Sequence, residues 1–113
     1  KRQNMSKYRL YLNDILRAIR DIEETTKNEN FNSFSKDKNL VDATAMRIQI
    51  IGESIKKLPG KIKKKEKDIN WSYLENLRDI ISHAYFKIDA ELLWDIVQKE
   101  IFPLKKSILN IKN

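Results

Sequence analysis

Apolar residues return at helical spacing in four stretches of this chain, and that periodicity leaves room for little besides helix. The first stretch holds Tyr8, Leu12, Ile15, Leu16, Ile19 and Ile22. The second holds Val41, Ala45, Ile48, Gly52 and Ile55, widened by Leu40, Ile51 and Leu58. A third passes through Leu74, Leu77, Ile80, Ile81 and Ala84. The last runs from Leu92 and Leu93 through Ile96, Val97, Ile101, Leu104 and Ile108 to Ile111. Two glycines and two prolines among 113 residues allow few turns. No alternating strand pattern, internal repeat or glycine-rich phosphate loop interrupts the series. The expectation is an all-α fold, an antiparallel helical bundle of four main helices with room for a short fifth, forming one domain over residues 1–113.

Punctuation residues divide the series. Ser6 is an N-cap for a first helix reaching about Lys27. Met5 reads as the natural first residue and Lys1–Asn4 as an appended lead, with residues 1–5 expected to be either disordered or part of such a lead. Arg17 and Arg20 are read as forming i,i+4 pairs with neighbouring carboxylates rather than as phosphate contacts. Residues 28–37 form a polar connection whose Phe31 and Phe34 plug the core, and Ser35 or Asp37 caps a second helix reaching Leu58. Gly52 lies inside that helix, where glycine costs about 1 kcal/mol relative to alanine, so close helix packing explains it. Met46 and Ile50 point off the main stripe and supply a second apolar side, as a subunit contact would need. Pro59-Gly60 stops the helix, Asn70 caps the third, and Trp71 anchors its start. Asp89 caps a last helix that Pro103 should kink, with Trp94 at its edge.

The formal charge is +7, from 23 Lys and Arg against 16 Asp and Glu, which favours a polyanionic partner. Lys61 to Lys67 is the densest basic run, expected as a loop or one loose turn. It reads equally as an attractor of RNA and as a mobile solvated loop. Without cysteine there is no disulfide framework or thiolate metal site, which is compatible with the cytoplasm. No apolar run approaches the ~20 residues of a membrane span, and no signal segment opens the chain.

Within the third stretch, chemistry gathers. Wound at about 100° per residue, Leu74, Leu77, Ile80, Ile81 and Ala84 fall within an arc of roughly 120°. Arg78, Asp79, Ser82, His83 and Tyr85 fall opposite. His83 is the only histidine, five residues after Arg78. Arginine can grip a phosphodiester through its two-pronged donors, and histidine, with an unperturbed pKa near 6.5, can move its proton. On residues alone this face stays open between a solvated helix surface and a phosphoryl-transfer site.

The order Arg78-Asp79-x3-His83-x-Tyr85 resembles the Arg-x4-His-x-Tyr signature of HepT-like proteins in the HEPN superfamily. These are the toxin halves of pairs with a minimal nucleotidyltransferase (MNT). Tyr11-Leu12-Asn13-Asp14-Ile15-Leu16 is similar to the family's first helix, and Ile50-Ile51-Gly52-Glu53-Ser54-Ile55-Lys56-Lys57-Leu58-Pro59 to its "IGEA-K-LP" helix end. Ile69-Asn70-Trp71 stands where the family has a Pro-Trp pair, with Asn in place of Pro. The resemblance thus covers nearly the whole chain.

The resemblance implies a metal-independent endoribonuclease that needs no cofactor. The RNA 2′-hydroxyl, which DNA lacks, would attack the neighbouring phosphate. His83 would transfer protons, Arg78 would stabilise the phosphorane oxygens, and Asp79 would orient one or the other. Ser82 and Glu53 are auxiliary candidates, although Glu53 also suits a plain helix surface. One histidine per chain cannot be both acid and base, so a homodimer facing two motifs across a cleft is implied. Tyr85 is the expected acceptor of AMP from a cognate MNT-type nucleotidyltransferase, which would block the place of RNA. Its alternative is an ordinary amphipathic tyrosine. A different class remains open: a catalytically silent binding or regulatory subunit of such a transferase. A helical DNA binder is weaker, since no helix-turn-helix spacing stands out.

Overall fold

The structure, a computed structural model, describes residues 2–82 and 89–113, with side chains described for residues 7–78 and 89–113. All regular structure among the described residues is helical, in seven segments: α1 (Arg2–Thr26), α2 (Phe31–Lys36), α3 (Lys38–Lys56), α4 (Gly60–Lys63), α5 (Trp71–Ser82), α6 (Ala90–Lys99) and α7 (Ile101–Lys112). None of these helices is long and apolar enough to cross a membrane. The all-α expectation holds, and the larger count has three local causes.

The first lies in the connection expected to be irregular. Asn30 caps the six-residue α2: the Ser33 N–H donates to Asn30 Oδ1 at 2.8 Å, and the Asn30 N–H donates to Ser33 Oγ at 3.0 Å. This reciprocal box satisfies two donors that a helix start leaves open. Phe34 is the expected core plug, fully buried with its ring centroid 5.1 Å from that of Trp94. Phe31 is not: at the first position of α2 it is 41% exposed, on the rim of an open hollow. Asp37 then closes α2 and opens α3, its carboxylate accepting from the Leu40 N–H at 3.1 Å, so Asp37 rather than Ser35 is the cap.

The second cause is a single turn, α4, after Pro59. The third is Glu100. One helix kinked at Pro103 was expected, but α6 ends at Lys99 and α7 begins at Ile101. A proline ring clashes with the carbonyl four residues before it, here that of Lys99, so the chain breaks there and not at the proline. Pro103 is left in the first turn of α7, where a missing N–H costs little. The start of α1 also differs: helix extends to Arg2, beyond Ser6, through a stretch that holds no Gly or Pro.

Helix α1 runs antiparallel to α3 and to α7. Arg47 of α3 donates to Thr25 near the end of α1 at 3.2 Å, while the Lys57 ammonium after α3 sits 5.3 Å from the Tyr11 ring near its start. On α7, Lys105 pairs with Glu23 of α1 at 3.0 Å, and Asn110 to Asn113 share a hollow with Arg9. Between them the core is almost wholly aliphatic, built from Leu12, Ile15, Ile19 and Ile22 against Ile48, Ile55, Leu77, Ile96, Leu104 and Ile108. Arg20 lies 3.9 Å from Asp21, the adjacent residue and not the expected i,i+4 partner, and with both side chains exposed the pair contributes little. Met46 and Ile50 are exposed on α3, as their spacing predicted.

Candidate active site on α5

The motif helix is fixed before its first functional residue. Asn70 caps it, accepting from the Tyr73 N–H at 3.0 Å. The Trp71 indole N–H donates to two carbonyls, those of Lys63 and Glu66, both at 3.0 Å. Its ring therefore ties the start of α5 to the turn after α3. Lys63 completes the tie by donating to the Ile55 carbonyl at 3.3 Å, with its ammonium 3.9 Å from the Glu75 carboxylate. Leu74 and Leu77 are buried on the inner face.

Position along α5 is then set by Gly52. A Cβ there would lie 3.0 Å from the Leu74 carbonyl oxygen, 3.4 Å from the Glu75 carbonyl oxygen and 3.4 Å from Arg78 Cβ. The helices meet at this seam because α3 has no side chain in the way, which is the close packing expected of Gly52. The same contact places the root of Arg78, half-buried on the seam between α3 and α5. A guanidinium carries the two-pronged donors that suit a phosphate.

The other expected site residues divide into two groups. Glu53 follows Gly52 on α3 and is exposed, as a helix-surface carboxylate would be. The backbone of Asp79 and Ser82 belongs to α5, but their side chains lie outside the described residues, as do His83 and Tyr85 altogether. Among the described residues no three His, Cys, Asp or Glu side chains converge as ligands for a metal ion. Lys63 and Glu75 escaped the sequence reading. Their i-to-i+12 separation crosses a turn, and no helical period connects them.

On another side of α5, the Tyr73 phenol is held above its ordinary pKa, first by burial and then by Glu100 and Asp95. The unfolded chain ionises at the ordinary tyrosine value, below the folded one. This contribution to stability is therefore complete below about pH 10 and is lost as pH rises through the folded pKa. Tyr73→Phe is expected to flatten the alkaline limb of a urea-midpoint profile. An unchanged limb would place the transition on other groups.

Comparison with known proteins supplies the family. The family model described as ribonuclease HepT-like matches residues 15–111. A Methanocaldococcus jannaschii protein named as a gamma-glutamylcyclotransferase and candidate RNase is 44% identical over 91% of this chain, which covers 46% of that protein. A probable ribonuclease HepT of Thermococcus cleftensis is 39% identical over 84% of this chain and 86% of its own length. A candidate RNase of Caldanaerobacter subterraneus is 33% identical over 91% of this chain and 92% of its own. The chain thus spans about half of the first relative and most of the other two. No solved structure matches it. With a family model covering nearly its whole length and such relatives on either side, this chain belongs to the HepT-like ribonuclease family.

Proposed function

We propose that the chain is the toxin of a HEPN/MNT toxin–antitoxin pair, a metal-independent endoribonuclease acting in the cytoplasm. The observation that carries the reading is Arg78, seated at the Gly52 seam and followed by His83 and Tyr85 at the signature spacing, in a family named for ribonucleases. In the proposed reaction the RNA 2′-oxygen attacks phosphorus, its proton passes to His83, and the bond to the 5′-oxygen breaks. A second proton goes to that leaving oxygen, giving a 2′,3′-cyclic phosphate and a 5′-hydroxyl. Arg78 stabilises the equatorial oxygens in the transition state, and Asp79 holds His83 or Arg78 in position.

A base and an acid are both needed, so the His83 of a second copy supplies the other proton transfer. Exposed Met46 and Ile50, four residues apart on α3, offer apolar area for that homodimer. AMP transferred to Tyr85 by a cognate nucleotidyltransferase would add bulk and negative charge seven residues after Arg78 in the signature and keep RNA out.

The test is cleavage of RNA by the purified protein in EDTA, wild type against His83→Ala. Loss of a proton-transfer group is expected to slow cleavage by about 10²–10⁴-fold, with cyclic-phosphate ends on the wild-type products. If neither protein cuts RNA while both fold and dimerise, the enzyme reading fails. A silent regulatory subunit of the transferase then takes its place.

A further inference from the structure

Positive charge is concentrated in one part of this chain. Between Lys56 and Asp68 stand seven lysines and two carboxylates, so thirteen residues hold five of the seven net charges. The remaining residues, with 16 basic and 14 acidic side chains, are nearly balanced. A loop or one loose turn was expected for this run, and the structure shows a turn, α4, that is anchored to its neighbours as a basic arm. Helical turns continue past α4, with the Lys64 N–H donating to Gly60 at 2.9 Å and the Glu66 N–H to Lys63 at 3.1 Å. Ile62 is buried beneath them, and the Trp71 indole pins the Lys63 and Glu66 carbonyls from α5.

Anchoring divides the lysines by role. Lys63 is turned inward to the Ile55 carbonyl and Glu75. Lys61, Lys64 and Lys65 remain exposed, and their spacing of three and four residues puts them on one side of the arm. Lys65 also lines a hollow of about 420 Å³ with Arg9 of α1 and Lys112 of α7, beside the amides of Asn110 and Asn113. Glu66 is the one acidic side chain on its wall, against three cations. Cations from three separate elements therefore meet at the arm. Through Lys63 and Glu75 the arm is tied to α5 one helical turn before Arg78.

We propose that Lys61, Lys64 and Lys65, continued by Arg9 and Lys112, form a second contact for the RNA backbone, separate from the motif and indifferent to base sequence. This rests on the ribonuclease reading for the identity of the polyanion. A rigid array of cations loses less freedom on binding than lysines on a mobile chain, so it can hold a flexible strand while Arg78 engages one phosphate. The arm then governs how tightly RNA is held, and the motif governs whether it is cut.

The experiment measures binding of a short fluorescein-labelled RNA carrying 2′-O-methyl groups, which block the attacking oxygen, by anisotropy from about 50 to about 200 mM salt. The triple variant Lys61→Gln, Lys64→Gln, Lys65→Gln is compared with Lys27→Gln, Lys36→Gln, Lys106→Gln, which removes the same charge elsewhere. Each lost single-strand contact removes about 0.7 from the salt slope, so the arm triple should lose about 2 and bind roughly ten- to a hundredfold more weakly at 0.1 M salt. Arg9→Gln with Lys112→Gln should act in the same direction, and circular dichroism checks that every variant folds. Equal losses in the arm and control triples, or none in the arm triple, would overturn the proposal. So would loss of binding to a protein partner alone. Cleavage of unmodified RNA is followed separately. Arm-dependent binding without cleavage removes the ribonuclease and keeps the arm, while cleavage with arm-independent binding does the reverse.

Discussion

Phe34→Ala is expected to cost about 3–5 kcal/mol of folding stability, and Phe31→Ala, three residues earlier in the same short helix, less than about 0.5 kcal/mol. Phe34 is fully buried against Trp94 where α2 meets α6, and its removal leaves a cavity that a six-residue helix cannot collapse to fill. Phe31 is 41% exposed and leaves nothing behind. Against a total stability of about 5–15 kcal/mol for a domain this size, the first loss is severe. It should lower Tm by about 9 °C or more, on a scale of ~3–6 °C per kcal/mol for a domain of this size. Thermal melts of the two variants side by side settle the matter. Similar melting temperatures would mean that α2 is not part of the cooperative unit.

The second large effect is at Gly52. Gly52→Val places branched carbon where the nearest atom, 3.0 Å from the Cβ position, is the backbone carbonyl oxygen of Leu74. A carbonyl within a helix cannot rotate away as a side-chain tip would, so α5 as a whole must shift. Overpacking of this kind costs about 1–3 kcal/mol. The shift carries Arg78 with it, since Arg78 Cβ is a neighbour of the same site. In the phosphate role proposed for Arg78, a displacement of about 1 Å can cost on the order of 100-fold in rate. The expected outcome is a folded protein with a lowered Tm and a much lower rate of RNA cleavage. A variant that retains full activity would show that the seam does not position Arg78.

Much of this arrangement is legible in the residues, and the places where it is not have identifiable causes. Asp37, Asn70 and Asp89 are caps because short polar side chains precede apolar periods, and each accepts the expected backbone N–H. Gly52 is legible because a glycine inside a helix demands a reason. The α2 helix is not, because its box uses Asn30 and Ser33 where a Glu or Gln would have announced it. Pro103 was visible, but its steric demand falls four residues upstream, so the break lies at Glu100. Phe31 and Phe34 look alike in a list of residues, and only the position of α2 against α6 separates them. At the candidate site, spacing and the family resemblance single out Arg78 as a candidate phosphate ligand, while the seam that holds its root belongs to two helices separated in the chain. The roles of His83, Tyr85, Asp79 and Ser82 rest on spacing and resemblance, since those side chains lie outside the described residues.

Trp71 has a last consequence, an optical one. A single indole N–H holds the Lys63 and Glu66 carbonyls, so the polarity felt by its excited state depends on whether the basic arm is docked. The only other tryptophan, Trp94, lies against Phe34 on α6 and is removed from the signal by Trp94→Phe. The protein thus carries its own reporter at the junction of arm and motif helix, in a place where an attached dye would disturb the contact it was meant to observe.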